Sequence, residues 1–175
     1  MTKERKMYLD VDGVLAVWNE AHSCVELARG YGQLMRFCLL HQIRPYWLTC
    51  WSSQPQSLWG LNCLLWPNSC PTMAQPEVVL FQGKSKARAI DFESDFVWIE
   101  DGISEEDQWV LRERNAEDRF FWTNGKNPDC LLEFMAYCEG RLGLPKIAEW
   151  THPWQPSFSR PRNLPVRSPC LGVGE

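Results

Sequence analysis

An α/β fold with a central, mostly parallel sheet is predicted by three features of the sequence. Short apolar runs suited to buried strands recur along the chain: Met7-Tyr8-Leu9, Pro45-Tyr46-Trp47-Leu48, Phe96-Val97-Trp98-Ile99 and Arg119-Phe120-Phe121-Trp122. Stretches with helical spacing separate them, and strands alternating with helices imply parallel pairing. Acidic or hydroxyl residues stand where several of these runs end, at Asp10, Thr49 and Glu100-Asp101. In open α/β sheets, ligands bind at that carboxyl edge.

Each element has its own local reason. After the first strand, Ala16 to Gly32 is punctuated by Gly30 and Gly32, which argues for a short hairpin or flap over one long helix. From about Gln33 to His41, Leu34, Met35, Phe37, Cys38 and Leu39 repeat with helical spacing. Gln54 to Leu65 reads as another helix, with Pro55 in its first turn. Glu77 to Phe81 is a short β-type run, and Lys84 to Phe92 reads as a helix. Ser104-Glu105-Glu106-Asp107 has the pattern of a capping box and opens a helix to about Asn115. Asn127-Pro128-Asp129 caps a last helix ending near Gly140.

Residues 1–143 are thus expected to form one domain. From residue 144 onward the chain changes character: five of the 12 prolines fall from Pro153 on, aliphatics are few, and Arg160, Arg162 and Arg167 make it mildly basic. A flexible tail over 144–175 is the expectation.

Composition narrows the function. A net charge of −4 provides no global attraction to nucleic acid or an anionic membrane. None of the 8 cysteines is spaced Cys-x-x-Cys, and with 3 histidines no zinc pattern forms. The charged start, Met-Thr-Lys-Glu-Arg-Lys, lacks an apolar leader, and no apolar run is long enough for a bilayer. A cytoplasmic protein with reduced thiols and no membrane partner is expected. Most of the 10 tryptophans, which follow no repeat, are expected in the core or a pocket wall.

The chemistry concentrates at Asp10-Val11-Asp12-Gly13-Val14-Leu15. Residues two apart on an extended chain face the same side, so Asp10 and Asp12 can share one pocket. Close carboxylates repel unless a cation lies between them, and an oxygen-only set suits magnesium. An EF-hand loop is excluded, because Gly13 comes too early and Ala21 stands where the bidentate Glu belongs. Gly83-Lys84-Ser85 imitates the end of a Walker A loop, but Val78 replaces the required first glycine.

Asp-x-Asp-Gly-Val-Leu after an N-terminal strand resembles the first motif of the haloacid dehalogenase (HAD) superfamily of phosphohydrolases. Thr49 matches the Ser or Thr of its second motif, and Trp47-Leu48-Thr49-Cys50-Trp51 resembles a small capless branch associated with RNA-repair proteins. Lys84 and Lys86 compete for the single lysine of the third motif, with Lys84 favoured by its distance from the acidic pair. Glu100-Asp101 resembles the fourth motif. There Asp101 matches the metal-binding aspartate, and Glu100 departs from the usual Asp.

The resemblance implies a three-layer sandwich without a large cap, and magnesium held by Asp10, the Asp12 backbone carbonyl and Asp101. It also implies an aspartyl-phosphate on Asp10, with Asp12 as general acid and base. Thr49 and Lys84 would hold the transferring oxygens, with Glu100 and Lys86 behind them. Asp12 points to a phosphatase, since the dehalogenases lack that carboxylate. Only about thirty residues separate Thr49 from Lys84, too few for a sizeable cap. An open site suits a phosphorylated macromolecule, such as a nucleic-acid end. The rival is a HAD-fold interaction module without activity, which would have no need of Asp10, Asp12, Thr49, a lysine and Asp101 together.

Overall fold

The Met7-Tyr8-Leu9 run becomes the middle of the molecule because it is flanked by hydrogen-bonded strands on both sides. In the computed structural model, which describes residues 3–53 and 76–145, β1 (Arg5–Leu9) pairs in parallel with β4 (Ile43–Trp47) and with β6 (Asp95–Glu100). β5 (Glu77–Val78) extends one edge beside β4, and β7 (Phe120–Trp122) the other beside β6. The five-stranded order is β5-β4-β1-β6-β7 and every pairing is parallel. The chain leaves β1 toward β4 and later returns on its other side as β6. The carboxyl end of β1 is therefore the switch point of the sheet, where such folds bind ligands.

Two apolar layers cover the sheet. α1 (Tyr31–Leu40) and α3 (Cys130–Arg141) pack on one face, where Leu34, Phe37, Leu131 and Phe134 meet Met7, Leu9 and Trp47. On the other face α2 (Glu105–Glu113) and a short helical turn, Ala87–Ala89, enclose Tyr8, Leu48, Phe96 and Trp98. Alternate strand residues supply the two cores, as the period of a strand requires. The result is the expected three-layer α/β sandwich. No described helix is long and apolar enough to cross a membrane.

Between β1 and α1 the expected flap is a hairpin of β2 (Ala16–Asn19) and β3 (Cys24–Leu27). Val17 turns into the core, while Trp18, paired with Val25, stays exposed. Trp109 and Trp122 are exposed too; of the described tryptophans, Trp47 and Trp98 lie in the core as expected, and Trp122 lines a cleft with Ile103, Leu111 and Phe120. Trp18 lies on the outer face of a hairpin, and Trp122 on an edge strand.

Two further expectations change. Lys84 to Phe92 forms only the turn Ala87–Ala89, and the run from Glu77 ends as a strand at Val78. The expected helix is shortened because Asp107 captures its start: its Oδ1 accepts from Ser85 Oγ and from the Ala87 amide, each at 2.8 Å. The expected helix from Gln54 and the tail from residue 146 lie outside the described residues. Leu144 packs in the core, just past the predicted domain boundary.

Asp107 also closes the capping box: its amide donates to Ser104 Oγ at 3.0 Å, and its Oδ2 accepts from the Ser104 amide and hydroxyl. The carboxylate is buried and satisfied by donors from two separate elements. Replacing Ser104 with Ala removes one cap and is expected to cost about 1 kcal/mol. Asp107→Ala leaves the Ser85 hydroxyl and Ala87 amide without their acceptor and is expected to cost at least twice that. Urea denaturation of the two variants against the parent checks the order.

Candidate active site

The register of the parallel strands decides what meets at the carboxyl edge. Leu9 pairs with Trp47 on one side and Ile99 on the other, and the Asp10 amide donates to the Ile99 carbonyl at 3.3 Å. Asp10 is therefore level with Leu48 and Glu100, and Thr49 and Asp101 follow one residue on. Carboxylate oxygens of Asp10, Glu100 and Asp101 lie within 4.8 Å of one another. Lys86 Nζ is 3.1 Å from Asp10 Oδ1 and 2.6 Å from Glu100 Oε2.

Gly13 makes this approach possible. Its φ of +69° suits glycine, and a Cβ there would fall 1.9 Å from Asp101 Oδ2. The Val11 carbonyl accepts from the amides of Leu15 and Ala16, turning the chain tightly out of the sheet after Asp10. Gly125 comes close to the same Asp101 oxygen, and the Trp122 indole donates to the Asp101 carbonyl at 3.1 Å.

The lysine beside Asp10 is Lys86, where the sequence favoured Lys84. Lys84 is exposed, in a turn with Gly83 at φ +77°. Asp107 pulls the flanking Ser85 and Ala87 into the core, and Lys86 between them faces the carboxylates. The residues beside the two lysines held no signal for this: Ser85 is shared, and Gly83 and Ala87 are both small.

Glu100 is a full member of the cluster rather than an outlying residue. Burial, then repulsion from Asp10, pushes its carboxyl up to about 10, against the pull of Lys86. Burial works against the Lys86 charge, but attraction to Asp10 and Glu100 prevails and raises it to about 12. The ammonium is thus held charged, and without a metal the crowded carboxyls retain a proton. Asp101 is also raised, by burial and then by Asp10.

Asp12 stands apart from this cluster through its side chain. It is raised by burial first, with the Trp51 indole opposing, and the indole donates to its Oδ2 at 2.9 Å. Thr49 is fully buried just past β4, where its Oγ1 accepts from the Trp51 amide at 3.4 Å.

The donor set fits magnesium. It is all oxygen, as a hard cation requires. The buried Asp10 Oδ1 has only the off-line ion-pair contact of Lys86 and accepts no hydrogen bond among the described residues. Asp10, Glu100 and Asp101 would supply side-chain oxygens, so Glu100 joins the expected set. The Asp12 side chain is not in this oxygen set, and the resemblance implies only its backbone carbonyl. The Trp51 and Trp122 contacts, with the anchoring role of Asp107, were not foreseen from the sequence. Trp51 lay in a motif and Asp107 in the capping box, but neither pattern pointed to these contacts.

No protein-family model matches the chain, and a search of curated proteins finds no relative. Among solved structures the chain is similar to a "putative 3-deoxy-D-manno-octulosonate 8-phosphate phosphatase" from Vibrio cholerae. The identity is 12%, over 84% of this chain and 89% of that one, with a TM-score of 0.48. A likeness at this level says nothing of chemistry.

The raised Glu100 carboxyl has a consequence for metal-free stability. A carboxyl that titrates higher folded than unfolded favours folding while protonated, and that contribution is lost as pH rises. For Glu100 the loss runs from about 4.5, its ordinary value, toward about 10. Glu100→Gln mimics the protonated form, so in chelator it should raise Tm at pH 8 more than at pH 5. Thermal denaturation at the two pH values is the check; an equal shift at both would show that Glu100 is ionised throughout.

Proposed function

We propose that the chain is a magnesium-dependent phosphohydrolase that works through an aspartyl-phosphate on Asp10. The observation that carries this reading is the meeting of Asp10, Glu100 and Asp101 with one lysine, Lys86, at the switch point of a parallel sheet. The order of the motifs along the chain, and their resemblance to the HAD phosphohydrolases, support it.

Asp10 is the nucleophile. It is almost fully buried and anchored by its backbone to β6. Its carboxylate attacks phosphorus, the bond to the leaving oxygen breaks, and Asp12 gives that oxygen a proton. Burial holds the Asp12 carboxyl above its ordinary value, which favours the proton-bearing form needed for that step. Asp12 then takes a proton from the water that cleaves the acyl phosphate and frees Asp10. Lys86 keeps Asp10 oriented and offsets charge on the transferring group. The hydroxyl of Thr49 serves a phosphoryl oxygen. A magnesium ion bound by the carboxylates supplies charge neutralisation to nucleophile and phosphate. The described residues form no cap larger than the hairpin, and an open mouth suits a phosphate on a large substrate, a nucleic-acid end among them.

The test is hydrolysis of p-nitrophenyl phosphate by the full chain with magnesium and with chelator. Activity should need the metal, and Asp10→Asn should reduce it to background. Lys86→Ala should lose roughly a hundredfold, the scale of one electrostatic donor at a reacting centre, while Lys84→Ala stays within about threefold. Equal losses from the two lysines would remove Lys86 from its assigned role. A parent chain inactive under all metal conditions would leave the interaction-module reading in its place.

Metal binding has a readout independent of turnover. Magnesium that binds only the folded state should raise Tm, by an amount that grows with its concentration. Asp101→Ala should abolish the rise. A rise that survives in this variant would put the cation elsewhere.

A further inference from the structure

Trp47 and Trp51, four residues apart, have different surroundings. Trp47 is buried in the core at the end of β4. Trp51 stands on the short helical turn Cys50–Ser53, and its half-buried ring packs against the core that carries β1. Its amide is held by Thr49 Oγ1, and its Nε1 reaches back to Asp12 Oδ2 at 2.9 Å. Both ends of the contact are therefore anchored, one to β4 and one to the loop after β1.

The direction of this hydrogen bond matters. An indole N–H donates and never accepts. The partner oxygen must therefore be an acceptor in both protonation states of Asp12. In an un-ionised carboxyl the carbonyl oxygen is the stronger acceptor, so the indole selects the form in which Oδ2 is the carbonyl and Oδ1 bears the proton. The other contact to this carboxyl among the described residues, Cys50 Sγ at 4.0 Å, falls on the same Oδ2. Among the described residues, none donates to Oδ1, the oxygen that would exchange with the leaving group and with water.

We infer that Trp51 is a positioning residue for proton transfer: its indole orients Asp12 so that Oδ1 delivers the proton to the departing oxygen. This rests on the phosphohydrolase reading above. It also assigns a task to a residue that touches neither the phosphate nor the carboxylate cluster. Loss of the N–H should act on the step that needs a proton and leave substrate binding alone.

The experiment compares the full-length parent and Trp51→Phe, with saturating magnesium, on phenyl phosphate and p-nitrophenyl phosphate. The two substrates share a shape but differ in how much their leaving groups need a proton. Trp51→Phe should lose about tenfold or more in kcat on phenyl phosphate, a part of the roughly hundredfold or more that general acid catalysis supplies, and about threefold or less on the nitrophenyl ester. KM should not change. In an Asp12→Asn background the same substitution should cause no additional loss, since residues acting through one group are non-additive. Benzothienylalanine at position 51 keeps the bicyclic shape without the N–H. It should reproduce the Phe result, and it serves if Trp51→Phe fails to fold. Equal losses on both substrates, an additional loss with Asp12→Asn, or full activity in the benzothienyl protein would each overturn the proposal. A parent chain that hydrolyses neither ester would instead overturn the phosphohydrolase reading, and the proposal with it.

Discussion

Like charges at the end of β1 set the terms for the rest of the structure. Asp10, Glu100 and Asp101 bring their oxygens within 4.8 Å of one another, and one ammonium, Lys86, lies against two of them. Burial makes this more costly, because low polarity strengthens repulsion and removes water. The surrounding architecture serves to hold the groups there. Three parallel strands in register bring the residues level, Gly13 vacates the space that Asp101 occupies, and Asp107 fastens the segment that carries Lys86. A cluster so short of positive charge has the character of a cation site, and a bound cation would reverse the pressure that holds protons on Glu100.

The two aspartates of the first motif separate in environment despite being two residues apart. Asp10 remains in line with the sheet, next to Lys86. Asp12 lies in the turn beyond, where an indole from the neighbouring strand end holds one oxygen. The first position favours a nucleophile, since its charge is held in a fixed direction. The second favours a proton carrier, since burial raises its carboxyl and the contacts of the described residues fall on one oxygen. The same residue type thus meets two environments because the backbone changes from strand to turn between them.

The substitution of Glu for Asp at position 100 becomes intelligible in this setting. The longer side chain reaches Lys86 at 2.6 Å and meets the carboxylates of Asp10 and Asp101. Lys86 is thereby shared between Asp10 and Glu100. The ammonium that orients Asp10 is itself oriented by a second carboxylate, and this sharing depends on the two-sided pairing of β1.

Much of this was legible in the residues alone. The alternation of apolar runs with helical spacing determined the layered sheet, because buried parallel strands must be apolar on both faces. Asp-x-Asp-Gly after the first run located the site, and Ser104 with Asp107 announced the capped helix. What the sequence could not decide depends on contacts across long separations. Lys84 and Lys86 are equivalent as sequence. Asp107, 21 residues beyond Lys86, separates them by drawing in Ser85 and Ala87. Trp51 and Asp12 are 39 residues apart, and no local pattern pairs an indole with a particular carboxylate oxygen. The inclusion of Glu100 in the cluster likewise follows from register between strands far apart in the chain. Local chemistry chose the elements, while the relative placement of side chains at their ends was a tertiary outcome, because distance in space there is unrelated to distance along the chain.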